Sequence, residues 1–133
     1  MKSTFSLTAI LILLSVSTLP LPSQAAPPPT HLGKCSNTSV SKVRTRLEDG
    51  VTGKPILGSG TSIEFTNGIY LVSYDTIPQA ESSKPKDPVK LCLISIPKDC
   101  PPGDNRGKVY KAINLRTQQT FTLPDSQHSC GGA

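Results

Sequence analysis

Four cysteines, Cys35, Cys92, Cys100 and Cys130, all lie downstream of an amino-terminal stretch laid out like an export signal, and this order constrains the fold more than any other feature. Met1-Lys2 is a positive start, Phe5 to Leu21 is an apolar run interrupted by Ser and Thr, and Ser23-Gln24-Ala25 is a small-x-small cleavage site. Residues 1–25 therefore read as a cleaved signal peptide, with the mature chain starting at Ala26. An exported chain meets an oxidising compartment in which thiols pair, so the expectation is a secreted or periplasmic protein stapled by two disulfides. A membrane anchor fits less well. The apolar run holds five Ser or Thr residues and ends at Pro20 and Pro22, whereas a spanning helix needs about twenty mostly apolar residues. A lipid anchor would need a cysteine directly after the cut, and the nearest, Cys35, follows Lys34. No transmembrane segment is expected in the mature chain.

Removal of the leader leaves 108 of the 133 residues, one domain's worth. Residues 26–34 read as a Pro-rich flexible start that joins no core, and 35–133 as a single disulfide-bonded β domain. The aromatic content is thin: Phe65, Tyr70, Tyr74, Tyr110 and Phe121 remain, and there is no Trp. Two disulfides worth roughly 2–4 kcal/mol each are then comparable with the whole net stability of such a domain. Four cysteines allow three pairings. The expected one joins Cys92 to Cys100, closing a Pro-rich loop, and Cys35 to Cys130, tying the ends; the alternative is Cys35 with Cys92 and Cys100 with Cys130. A zinc site needs close ligand spacing that these cysteines lack, and no metal or cofactor is expected.

The rest reads as about six short strands separated by Pro and Gly, a small antiparallel barrel or sandwich. Ser39 to Leu47 alternates, with Val43, Thr45 and Leu47 on one side and Lys42, Arg44 and Arg46 on the other. Gly53, Pro55, Gly58 and Gly60 make Val51 to Gly60 too loose for a central strand, although Pro55 to Leu57 suits a short edge. Asn67-Gly68 between two β-rich runs predicts a type I′ hairpin with Phe65 opposite Tyr70 and Ile63 opposite Val72. Thr76 to Pro88 reads as a solvated, mobile loop. Val89 to Ile96 is the most apolar run and is expected to be the central strand, buried on both faces. Lys108 to Leu115 follows with Val109, Ile113 and Leu115 inward, pairing with Thr120 to Leu123. The tail from Asp125 is expected to be tethered only by Cys130.

Candidate chemistry is sparse. Asp125, Ser126 and His128 put an acid, a hydroxyl and an imidazole close together, and a hydrolase using His128 with Asp125 or Asp104 is one reading. There is, however, no G-x-S-x-G elbow, and a triad is assembled from separate elements. The loop Pro102 to Lys108 is the better candidate: Asp104, Asn105, Arg106 and Lys108, with Lys111 and Arg116 behind them, form a basic, glycine-containing binding surface. No Walker motif is present. The few aromatics are needed by the core, which speaks against nucleic acid as a partner. Asn37-Thr38-Ser39 matches the N-glycosylation pattern. Loss of Lys2 with the leader lowers the net charge from +5 to +4, a modest attraction for anionic surfaces. The leading expectation is a non-enzymatic binding or inhibitor module that presents the loop Cys92–Lys108 to a protein or anionic envelope polymer. A basic, surface-associated structural protein is the further alternative.

Overall fold

The computed structural model describes Leu19 and residues 24–132, so the leader expected at 1–25 lies almost wholly outside the described residues. The fold is all-β. Six strands, β1 (Cys35–Thr45), β2 (Thr61–Phe65), β3 (Tyr70–Ser73), β4 (Pro88–Ser95), β5 (Val109–Asn114) and β6 (Thr120–Pro124), form one antiparallel sheet in the order β3-β2-β1-β4-β5-β6. The sheet curls into a half-barrel that brings β3 against β6, and a short helix, α1 (Pro78–Glu81), packs on β1, β2 and β6. No helix among the described residues is long and apolar enough to cross a membrane.

β1 is the shared element. Its first half, Cys35–Ser39, pairs with β4, and its second half, from Val40, pairs with β2 on the opposite edge. A bulge between Val40 and Lys42 separates the two; the unpaired residue bends the strand and adds the twist that curls the sheet. The edge that β1 leaves free before the bulge is met by the Pro-rich start, where the Ala26 N–H donates to the Asn37 carbonyl (3.0 Å). Prolines have no N–H to offer a further strand, so they blunt this edge. Pro29 is buried, contrary to the expectation that the stretch adds nothing to the interior. Leu47, expected inward, is 40% exposed, because β1 ends at Thr45 and the chain leaves the sheet.

The β2–β3 hairpin forms, but with a different turn. Glu64 faces Tyr70, Ile63 faces Leu71 and Ser62 faces Val72, one residue away from the expected register. A type I′ turn needs positive φ at both central residues, and here only Gly68 has it (φ 88°). The Gly68 N–H donates to the Phe65 carbonyl (3.0 Å) and the Phe65 N–H to that of Ile69 (2.9 Å), the three-residue loop with one left-handed glycine. The slip keeps Ile63, Phe65 and Leu71 in the core. Gly60, just before β2, is needed for a separate reason: a Cβ there would stand 2.1 Å from the Ser73 carbonyl oxygen of β3.

β4 is central as expected, but it is buried on one face only: Val89, Leu91 and Leu93 point inward, while Ile94 and Ile96 are exposed. Among the described residues, the outer face of the sheet at β4 carries no covering element. β5 has the opposite phase to that expected. Tyr110, Ala112 and Asn114 face the core, and Val109, Ile113 and Leu115 do not. Because side chains alternate strictly, a one-residue error moves every side chain to the other face; the buried residue that hides the pattern is polar.

That residue, Asn114, is fully buried and uses all of its hydrogen-bonding capacity. Its amide donates to Ser83 Oγ (2.9 Å) and Asp87 Oδ2 (2.8 Å), and its oxygen accepts from the Arg116 and Thr117 N–H groups (2.9 and 3.1 Å). Asp87 is also buried and accepts from both Arg116 Nε and Nη2 and from the Lys84 N–H. The segment Thr76–Pro88, expected to be a solvated loop, is thus a plug: α1 buries Ala80, and Ser83 and Asp87 anchor it under β5 and β6. Bonds from Arg116, with help from Asn114 and the Lys84 N–H, hold the Asp87 carboxyl well below the usual carboxylate range.

The disulfides are Cys35–Cys92 and Cys100–Cys130, the alternative rather than the expected pairing. Cys35 and Cys92 are direct cross-strand neighbours in the β1–β4 ladder, so their side chains leave the same face of the sheet side by side. Cys100 lies in the loop beyond the end of β4, where the chain meets the tail instead of folding back over Cys92.

Replacing Asn114 with Ala takes the partner from Ser83 Oγ and from the Arg116 and Thr117 N–H groups, removes one of the bonds to Asp87, and should cost about 2–4 kcal/mol in urea unfolding. Because the Asp87 pKa is lower folded than unfolded, its contribution is complete above about pH 4 and is lost as pH falls below it. The stability gap between wild type and Asp87→Asn should therefore be full at pH 7 and close progressively in acid.

Candidate functional site

The loop between β4 and β5 is built on one carboxylate. Pro97, Pro101 and Pro102 deny it helix or ladder, and Gly103 and Gly107 take positive φ. Asp104 then gathers what lies around it: Oδ1 accepts from Arg106 Nε (2.9 Å), and Oδ2 from Arg106 Nη2 (2.8 Å) and from the Gly131 N–H of the tail (3.0 Å). The bidentate Arg106 contact, reinforced by the Gly131 N–H, draws the Asp104 carboxyl well below its ordinary range and raises Arg106 in turn. Tail and loop are further joined by Cys130 N–H to the Arg106 carbonyl (3.0 Å), Gly107 N–H to Asp125 Oδ1 (2.8 Å), and the Cys100–Cys130 bond. The tail is therefore laced to the loop along its length, and Gln127 also accepts from Arg46 (2.8 Å).

Of the six residues expected to bind, the loop brings together Asp104, Asn105, Arg106 and Lys108. Asn105, Pro101, Pro102 and Lys98 are exposed; Asp104 is half-buried, and Arg106 is exposed with its guanidinium committed to Asp104 and to the Gly132 carbonyl. Lys111 stands apart on the outer face of β5, between Cys92 and Thr122. Arg116 does not belong to the site. It lies past the far end of the six-residue β5, about 20 Å of strand away, where it braces Asp87.

Of the basic row Lys42, Arg44 and Arg46 on β1, Lys42 is exposed and the two arginines are engaged within the fold. Arg44 is paired with Glu64 and Glu48, and Arg46 stacks over Tyr74 at 4.5 Å and donates to the Ser59 carbonyl. His128 is exposed, and its ring makes no hydrogen bond among the described residues. Asp125 and Asp104, the acids considered for it, are engaged with Gly107 and with Arg106 and Gly131. No group of three or more His, Cys, Asp or Glu comes together as a metal site among the described residues.

One surface was missed. Between β1 and β2 the chain makes an ordered excursion: Asp49 Oδ1 accepts from the Val51 and Thr52 N–H groups, and Glu48 bridges to Pro55. It holds Val51 and Leu57 at 96% and 87% exposure, with Leu47 and Ile56 beside them. The sequence signal was apolar residues following no alternation in a glycine-rich stretch. Comparison of the chain with protein-family models, curated proteins and solved structures finds no match in any of the three.

Replacing Cys100 and Cys130 together with Ser should lower stability by about 2–4 kcal/mol. Hydrogen exchange should show the larger local effect: the Gly107 and Gly131 amides lose at least about tenfold of their protection under conditions where the β4–β5 ladder remains closed.

Proposed function

We propose that this chain is a non-enzymatic binding module, exported to an oxidising compartment, which presents the loop Cys100–Gly107 to a protein partner. The two disulfides agree with such a compartment. The observation that carries the reading is the convergence on Asp104, where Arg106 and the Gly131 N–H clamp the loop beside a covalent link to the tail. A loop held in this way has little conformational freedom left to lose on association. What it offers outward is Pro101, Pro102 and Asn105, with Lys98 just before it, a small surface of rigid and hydrogen-bonding groups. The exposed, unpartnered His128 ring gives no support to the hydrolase reading.

A photo-crosslinking residue at Asn105, in the protein as its own cells export it, should yield one discrete protein adduct. The same probe at Lys42 should not, and adding Asp104→Ala should abolish the adduct by releasing the loop. Equal adducts at both positions, or an adduct indifferent to Asp104, would refute the proposal.

A further inference from the structure

A second surface lies on the outside of β4–β5 and their neighbours, and its charges are segregated. The outward positions of the first half of β1 are Cys35, Asn37 and Ser39; of β4, Pro88, Lys90, Cys92 and Ile94; of β5, Val109, Lys111 and Ile113; of β6, Thr120, Thr122 and Pro124. None is Asp or Glu. Register places Lys90 between Asn37 and Ile113, and Lys111 between Cys92 and Thr122, so the two lysines are diagonal neighbours on adjacent strands. Both are exposed, and neither makes an ion pair among the described residues. The other half of the sheet differs: there the outward Arg44 is neutralised by Glu64 and Glu48. Along the rows of Asn37 and Ser39 the face runs into an open groove lined also by Ala26, Lys86, Pro88 and Leu115, which adds a third cation at its rim.

We propose that this face is a docking surface for an extended polysaccharide bearing repeated anionic groups, carboxylate, sulfate or phosphate. The site is separate from the clamped loop and does not depend on that loop's partner. Two diagonal, exposed ammonium groups with no carboxylate on the face offer a position for an anion on each. The amide of Asn37 and the hydroxyls of Thr120 and Thr122 flank them with hydrogen-bonding groups suited to sugar hydroxyls. An anionic bilayer fits less well. Ile113, the apolar residue between the lysines, is half-buried in the sheet. The exposed apolar side chains, Ile94 and Leu115, stand at opposite ends of the face with the lysines and the polar Asn37, Thr120 and Thr122 between them, so they form no single patch to insert into acyl chains.

The test uses the full exported chain with polygalacturonate and heparin as probes at low salt, and phosphatidylglycerol-containing vesicles as the competing surface. Wild type should bind at least one polymer, with affinity falling as salt rises. Lys90→Glu with Lys111→Glu should weaken that binding roughly tenfold or more. Lys42→Glu with Lys54→Glu, which changes net charge equally on exposed residues elsewhere, should leave it within about twofold. Circular dichroism of both double variants separates lost binding from lost fold; should the first not fold, Lys90→Gln with Lys111→Gln replaces it and must show a clear loss. Equal weakening by both pairs, binding of vesicles but of neither polymer, or no binding of wild type to either polymer would overturn the proposal.

Discussion

The bend in β1 is the constraint on which the rest depends. A strand that pairs with β4 over its first half and with β2 over its second, on opposite edges, serves as the hinge of a curled sheet, and the unpaired residue between Val40 and Lys42 is where the curl is made. Hydrogen bonds alone do not hold the first half in register, because Ser36 to Ser39 are polar on both faces and such a ladder specifies register weakly, whereas an apolar inner face specifies it strongly. The first half has the Cys35–Cys92 link between facing residues; the second has Val40 and Val43 packed against Phe65 and Ile63. A one-residue slip in the first half would separate the sulfurs, and in the second it would expel the apolar side chains. The two devices thus protect the same register by different means.

Where the segment from α1 to β4 meets the end of β5, the interior is filled with polar rather than apolar groups. Asn114 satisfies all four of its hydrogen-bonding sites, and Asp87 sits beside it with Arg116 as its counter-charge. Such a network adds little net stability when complete and is costly when any member is missing. It therefore serves mainly to fix where the segment from α1 to β4 must lie.

This network also shows why the sequence was legible in some places and not in others. Strand number, the β2–β3 and β5–β6 hairpins and the central place of β4 follow from alternation and turn residues, which are local. The β5 phase does not: Asn114 is buried because Ser83 and Asp87 reach it from about thirty residues earlier in the chain, and no window around Asn114 contains that fact. Asp87 and Ser83, read as loop polarity, are buried for the same reason. The disulfide pairing was open for a related cause, since the cross-strand position of Cys35 opposite Cys92 depends on β1 pairing with β4 rather than with its nearest sequence neighbour. Of the candidate site, Asp104, Asn105 and Arg106 could be read from the turn-rich loop around them, but the Gly131 N–H and Cys130 on the tail could not, and Arg116 was misassigned because nearness in sequence along a strand is distance in space.

Asp87 with Arg116 and Asp104 with Arg106 are the same pair of groups in two settings, and the contrast explains why the loop carries a disulfide. The side chain of Asp87 is 5% exposed, with a buried amide beside it, so water and salt compete poorly for its carboxylate. Arg106 is 47% exposed and Asp104 19%, so their attraction is screened and supplies little stability of its own. An exposed pair of this kind can choose among conformations of a loop that is already confined, but it cannot confine a free one. Cys100–Cys130 does the confining by shortening the reach of both segments, and only then can Asp104 draw Arg106 and the Gly131 N–H into a single arrangement. The order of dependence runs one way: the covalent link makes the ionic clamp effective, and the clamp sets the shape that Pro101, Pro102 and Asn105 present to solvent.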